Sequence, residues 1–239
     1  MKMGPRRREN TLKVMLRHAA LAILPHRLSD RLFAFKQRLF WKMCSRRAHL
    51  NYSDNYLSRS WLIEPLISQL GDTAIGERSI LEYGCSGASN LRLMRENLPF
   101  SVSYIGVDIQ PEAIAFARRE FPLDAFYVGD ERKLLQLAPK LGHFDLFLAS
   151  GVLRYIAEPE VETLLNCARM LADNIIIYDN LSCISLPKGV NNGVFYHPYG
   201  KLCRNAGLEI VRICEAGSEG RDYGYFIARR KLSLDKRVI

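Results

Sequence analysis

The sequence predicts an α/β protein: a seven-stranded, mostly parallel, doubly wound sheet with a C-terminal antiparallel hairpin, preceded by a basic helical N-terminal extension. Three observations carry that prediction. Between residues 79 and 178, short apolar runs rich in β-branched and aromatic residues alternate with segments of helical period, the order that builds a parallel sheet. After Gly207 the alternation stops, and two strand-like runs follow with only a polar, glycine-bearing loop between them. A connection that short has no room for a crossover, so the two runs pair antiparallel. Charge is also partitioned: residues 1–50 carry thirteen Lys and Arg against Glu9 and Asp30, a balance of +11, while the 239-residue chain is +9 and the rest therefore sums to −2.

The first strand, 79–83, includes the acid Glu82 and runs into Gly84-Cys85-Ser86-Gly87-Ala88, with a helix from Ser89. A turn of this kind brings backbone N–H groups and a helix N-terminus up to a ligand. The second strand, 104–108, ends in Asp108, 24 positions after Gly84, the spacing at which a Rossmann-like unit sets a carboxylate on ribose hydroxyls. Pro111 then opens a helix over 111–121, where its missing N–H costs nothing. The third strand, 125–128, is followed by Gly129-Asp130-Glu131 and a helix to Leu141. Three successive strands with acids at their carboxyl ends describe a nucleoside pocket at one edge of a parallel sheet. A fourth strand, 144–150, leads into Gly151–Ile156; a helix over 158–172 and a fifth strand, 174–178, ending at Asp179, complete the alternation. The turn Asn191-Asn192-Gly193, a helix over 198–205 and strands 208–214 and 223–230 close the chain.

From residue 79 to 231 the order of elements and the motif Glu82-Tyr83-Gly84-Cys85-Ser86-Gly87-Ala88 resemble the class I S-adenosylmethionine (SAM) dependent methyltransferases. The resemblance implies that Glu82, Gly84, Ser86 and Gly87 surround the methionine part of SAM, that Asp108 binds the ribose with Ile109 against the adenine, and that Asp130 and Glu131 read the adenine amino group. Ser150 and the segment after it would line cofactor and acceptor together. The family pattern D/E-x-G-x-G-x-G has Ser86 and Ala88 at its second and third glycine positions, residues still small enough for close backbone approach. The antiparallel closing hairpin separates this family from nicotinamide dehydrogenases, the commonest alternative for a glycine turn plus acid.

Methyl transfer from a sulfonium is a direct displacement, so in-line positioning with water excluded supplies most of the rate, and a hydroxyl acceptor gains from a base. By topology the candidates for that base are His197 and Asp179, and Arg154, Tyr155 and Tyr196 are placed to orient the acceptor. Each has a plain structural alternative, since a histidine beside a helix start is often a loop anchor. His143 precedes the fourth strand and belongs to the far end of the sheet. The six cysteines show no paired metal spacing and read as reduced core thiols of a cytoplasmic protein; no metal is implied.

The chain divides into an extension and linker, 1–60, and a methyltransferase domain, 61–239. Residues 12–24 are apolar but interrupted by Lys13, Arg17 and His18, too short and charged to span a bilayer. From Asp30, Leu32, Phe33, Phe35, Leu39, Phe40 and Met43 interleave with Arg31, Lys36, Arg38 and Lys42, an amphipathic helix. Such a helix suits peripheral contact of residues 1–47 with the inner face of a membrane, packing on the domain, or a lid over the acceptor site. With the catalytic domain near neutral, nucleic acid is the weaker partner class. The expected activity is O-methylation of a small-molecule or lipid- or glycan-linked acceptor; the alternatives are an RNA or protein methyltransferase, or a SAM-binding protein of the same fold without turnover.

Overall fold

The computed structural model describes residues 26–43, 60–71, 76–180, 189–191, 194–215 and 223–231. The expectations for 12–24, for the linker 51–59 and for the loop over 216–222 lie outside those residues. Helix α1 (His26–Met43) and helix α2 (Ile63–Leu70) precede the sheet. Then β1 (Glu77–Tyr83), α3 (Ser89–Asn97), β2 (Ser101–Asp108), α4 (Pro111–Glu120), β3 (Ala125–Val128) and α5 (Glu131–Leu141) follow. Next come β4 (Phe144–Ser150), a 3₁₀ turn (Leu153–Tyr155), α6 (Glu158–Leu171), β5 (Ala172–Asn180), β6 (Gly189–Asn191), β7 (Val194–Tyr196), α7 (Tyr199–Asn205), β8 (Leu208–Glu215) and β9 (Tyr223–Arg230).

Seven strands form one sheet in the order β3-β2-β1-β4-β5-β9-β8, with β1 to β5 parallel and β9 antiparallel to both of its neighbours. Apolar residues on both faces of β4 and β5 are covered because helices lie on each side. On one face Leu134, Leu164, Leu165 and Leu202 from α5, α6 and α7 pack on Leu81, Phe147 and Ile175. On the other, Leu66, Leu91, Met94 and Ile114 from α2, α3 and α4 pack on Ile80, Leu146 and Ile176. Register aligns the strand ends: Tyr83 sits opposite Val107 and Ala149, Asp108 opposite Val128, and Ser150 opposite Tyr178. One carboxyl edge therefore carries Glu82, Asp108, Asp130, Ser150 and Asp179.

The structure extends several elements beyond their sequence limits. Strand β5 runs over Ala172–Asn180 because β9 pairs along its whole length, Asn174 to Arg229 through Asn180 to Tyr223. Helix α1 starts at His26, ahead of the expected Asp30. Val190 and Phe195 belong to an antiparallel pair, β6 with β7, where the sequence reading placed only a turn. Asn-Gly between two short apolar runs is the strongest local hairpin signal, and it sits at Asn192-Gly193. Helix α1 lies against the carboxyl edge through Phe33, Arg38 and Trp41. Among the described residues no helix is long and apolar enough to cross a membrane.

Candidate active site

The turn after β1 is built on one indispensable glycine. Gly84 has φ +77°, its N–H donates to the Val107 carbonyl at 2.7 Å, and a Cβ there would stand 2.6 Å from the Val152 side chain. Ser86 (φ +49°) and Ala88 (φ +60°) also take the left-handed conformation, so the backbone keeps the shape of a glycine loop with L-residues in it. That conformation costs about 1–2 kcal/mol per non-glycine residue. The loop is tied down by the Ala88 N–H on the Cys85 carbonyl (2.9 Å) and by the Ser86 N–H on Asp108 Oδ2 (2.8 Å). Gly87 is buried between the two strained positions.

Glu82 is 1% exposed, and its oxygens accept from Asn90 Nδ2 at 2.6 Å and from the Tyr104 hydroxyl. It joins β1 to α3 and β2, and so fixes the floor of the turn. Neither Asn90 nor Tyr104 stood out in the sequence. Tyr104 pairs with Ile80, two residues before Glu82 and on the same face of the sheet, a cross-strand relation that only the register reveals. Burial, and then the Glu82 charge, hold the Tyr104 hydroxyl well above the ordinary tyrosine range, so it stays a donor. Burial, with Asp108 and Glu82 nearby, likewise pushes the Cys85 thiol up, which keeps it protonated and unreactive.

Asp108 is half-buried at the end of β2. Its Oδ2 accepts the Ser86 N–H and its Oδ1 accepts the Gln110 N–H at 2.9 Å. Burial raises its pKa above the aspartate value, and these backbone donors pull part of the way back. A carboxylate offers about four lone-pair sites, and backbone donors do not fill them all, so acceptor capacity remains for an outside donor such as a hydroxyl. Ile109 follows, half-exposed. Asp130 caps α5, accepting the N–H groups of Arg132 and Lys133 at 3.2 Å each. Glu131, 2% exposed, meets Arg38 Nη2 at 2.7 Å and the Tyr83 hydroxyl at 3.5 Å, and Arg38 Nη1 lies 3.5 Å from Asp130. Arg38 belongs to α1. The sequence placed it only among the basic residues of an amphipathic helix, and no local spacing could pair it with a residue 93 positions on.

At the other side of the edge, Asp179 is 2% exposed at the end of β5 and accepts from Arg154 Nη2 at 2.7 Å and from the Tyr199 hydroxyl at 2.6 Å. Arg154 sits on the 3₁₀ turn after β4. His197 is also buried, and its Nε2–H donates to the Leu153 carbonyl at 2.9 Å, fastening the β7–α7 segment to that turn. The His197 and Tyr199 rings lie 5.6 Å apart. Tyr155 faces Trp41 of α1 at 4.8 Å between ring centroids, and Phe195 faces Phe33 at 4.9 Å. Ser150 and Tyr196 are half-buried, and at Gly151 (φ +68°) a Cβ would meet nothing within 4 Å, which marks open space just past β4. Tyr199, Trp41 and Phe33 are site neighbours that the sequence reading did not assign. His143 sits before β4 at the opposite end of the sheet, bonded to Asp173 at 2.9 Å.

The glycine-type loop, the remaining acceptor capacity of Asp108 and the space at Gly151 are compatible with a nucleoside ligand along the edge. Residues 81–176 match a family model described as a methyltransferase domain. Comparison with curated protein sequences found no match. Among solved structures, the magnesium protoporphyrin IX methyltransferase ChlM of Synechocystis PCC 6803, with SAM bound, is similar at 14% identity and TM-score 0.58, covering 83% of this chain and 97% of that one. A TehB-like SAM-dependent methyltransferase of Corynebacterium glutamicum is similar at 22% identity and TM-score 0.51, with coverage of 76% and 99%. An O-methyltransferase family protein of Burkholderia thailandensis is similar at 19% identity and TM-score 0.53, with coverage of 80% and 61%. With the sheet order, the glycine turn and this domain match in agreement, residues 81–176 carry a methyltransferase domain and the chain has the Rossmann-like fold of the SAM-dependent methyltransferases it resembles.

Proposed function

We propose that the enzyme O-methylates a small-molecule or lipid- or glycan-linked acceptor. The observation that carries this reading is the cover over that side of the edge: α1 sets Trp41 on Tyr155 and Phe33 on Phe195, an aromatic layer beside the buried Arg154. A covered, partly apolar edge admits a compact or chain-like acceptor more readily than a folded RNA or protein. The near-neutral domain outside the extension supports the same choice. In this reading Glu82, Gly84, Ser86 and Gly87 would hold the methionine end, Asp108 the ribose hydroxyls, Ile109 and Asp130 the adenine, and Ser150 would line the cofactor beside the acceptor. Glu131 acts through Arg38, closing α1 over that end.

SAM supplies an electrophilic methyl carbon whose bonding electron pair stays on sulfur, so the protein's task is alignment and the removal of one proton from the acceptor hydroxyl. Asp179, with its oxygens turned to Arg154 and Tyr199, serves to hold the guanidinium toward the acceptor. His197, with Nε2–H committed to Leu153, acts as base through Nδ1. Arg154, Tyr155 and Tyr196 orient the acceptor. The protein works on the cytoplasmic side, with peripheral membrane contact when the acceptor is lipid-linked. Incubation with methyl-labelled SAM and separated fractions of small molecules, lipids, glycans, RNA and protein tests the assignment. Label in one of the first three fractions supports it; label only in RNA or protein overturns it, and SAM binding without label anywhere leaves the binding-protein alternative.

A further inference from the structure

Helix α1 has two unlike faces. Its inner face holds Phe33, Arg38 and Trp41 against Phe195, Glu131 and Tyr155. Its outer face leaves Leu32 38%, Phe35 65%, Leu39 46%, Phe40 58% and Met43 74% exposed. Steps of three and four residues from Leu32 to Phe35, Leu39 and Met43 place these four along one stripe, with Phe40 at its margin. A helix packed on a globular domain normally turns charge outward. Here the apolar residues point outward, flanked by exposed Arg31, Lys36 and Lys42, and no Asp or Glu occurs between Arg31 and Met43.

We propose that the outer face of α1 docks on an anionic bilayer, the stripe entering the interface and the three basic residues meeting acidic headgroups. The charge pattern selects this occupant. A second copy of the chain would bring an equally basic extension, +11 over residues 1–50, and the two would repel. A nucleic-acid backbone matches the charges and leaves five apolar side chains in water. Eighteen residues of helix also suit a surface helix lying flat, with basic residues beside the apolar stripe. Because the inner face of the same helix covers the carboxyl edge, docking sets that edge against the membrane. This last step rests on the lipid-linked form of the function proposed above.

The full-length protein is sedimented with vesicles of phosphatidylcholine alone and of equimolar phosphatidylcholine and phosphatidylglycerol. Partition into the mixed vesicles is expected, with weak partition into the neutral ones and a steep decline with salt. Each basic residue near an anionic surface contributes about fivefold, so Lys36→Glu with Lys42→Glu lowers partition by more than tenfold. Phe35→Ser with Met43→Ser lowers it by a similar factor and also removes the part that survives high salt. Both pairs are exposed and stand apart from the inner-face contacts given among the described residues, so SAM affinity and melting temperature remain those of the wild type. Unchanged partition in the Phe35/Met43 variant overturns the proposal, even if vesicles still bind elsewhere on the chain. So does a stripe that proves on light scattering to hold a dimer which those substitutions dissociate, in a protein that ignores vesicles. Partition with no lipid methylated leaves the docking face standing and removes the lipid-linked acceptor; lipid methylation without partition does the reverse.

Discussion

Asp108 and Asp179 end two parallel strands at the same edge of one sheet, yet they are held in opposite ways. Asp108 is half-buried and takes backbone N–H groups from Ser86 and Gln110, which fix the carboxylate without neutralising it. Asp179 is buried and takes a guanidinium and a phenol, which satisfy its charge from within the protein. A strand-end acid alone therefore does not define a role. An acid held by backbone donors keeps its charge and some acceptor capacity, whereas one held by a buried guanidinium and phenol has its charge met within the protein.

The largest expected effect breaks the second half of this comparison. Asp179→Ala leaves the Arg154 guanidinium, 11% exposed, without its carboxylate, and loss of one partner from a buried pair costs about 3–5 kcal/mol. Urea unfolding should show that loss. An Asp179→Ala protein as stable as wild type with turnover abolished would instead mark the residue as a base. Next is Gly84→Val, where left-handed φ and the 2.6 Å approach of Val152 combine to cost on the order of 3 kcal/mol, with SAM binding lost in calorimetry. A mutant of normal SAM affinity would make the turn merely structural.

Asp108→Ala sharpens the first half. Loss of charge-assisted contacts to two hydroxyls is worth about 1.5–3 kcal/mol, roughly a 10- to 150-fold rise in the SAM dissociation constant, with the fold retained. The pH dependence has a definite sign. Burial raises the Asp108 pKa above the aspartate value of 3.8, so acidification protonates it at a higher pH than an exposed aspartate. SAM affinity should therefore begin to fall before the ordinary aspartate range is reached, and that early fall should vanish in Asp108→Ala. Titrations across mildly acidic pH would show whether both hold.

The same contrast explains what was legible in the sequence. The strand, turn and helix around Gly84 and Asp108 lie in continuous order, and their spacing alone placed them on one edge. Strands β3 and β4 and helix α5 were recognisable to the residue because turn signals bound them on both sides. The Asp179 side of the edge is assembled from separated segments. His197 reaches Leu153 across 44 positions, Tyr199 reaches Asp179 across 20, and Arg38 reaches Glu131 across 93, so no periodicity encodes those pairs. The sequence could nominate Arg154, Asp179 and His197 by topology, but only packing shows that Asp179 is already engaged. The direction of α1 was open for the same reason, since its two faces are both aromatic.

The smallest predicted effect concerns the strained loop, where sequence and structure disagree most usefully. Ser86 and Ala88 occupy glycine positions of the family pattern and still adopt left-handed φ of +49° and +60°. Each carries a steric cost of about 1–2 kcal/mol that glycine would not. Glycine also gains freedom in the unfolded chain, which opposes the benefit by about 0.4–1 kcal/mol. The net gain from Ala88→Gly should therefore be about 0.5–1 kcal/mol, seen as a small rise in melting temperature. For Ser86→Gly the same stabilisation is expected, since the bond to Asp108 comes from the backbone N–H and survives the substitution. If neither glycine variant is more stable, the left-handed geometry is relieved elsewhere and the loop does not store strain. If both are stabilised and bind SAM as wild type does, the glycines of the family pattern serve backbone conformation here, and the cofactor tolerates a methyl or hydroxymethyl group at these two positions.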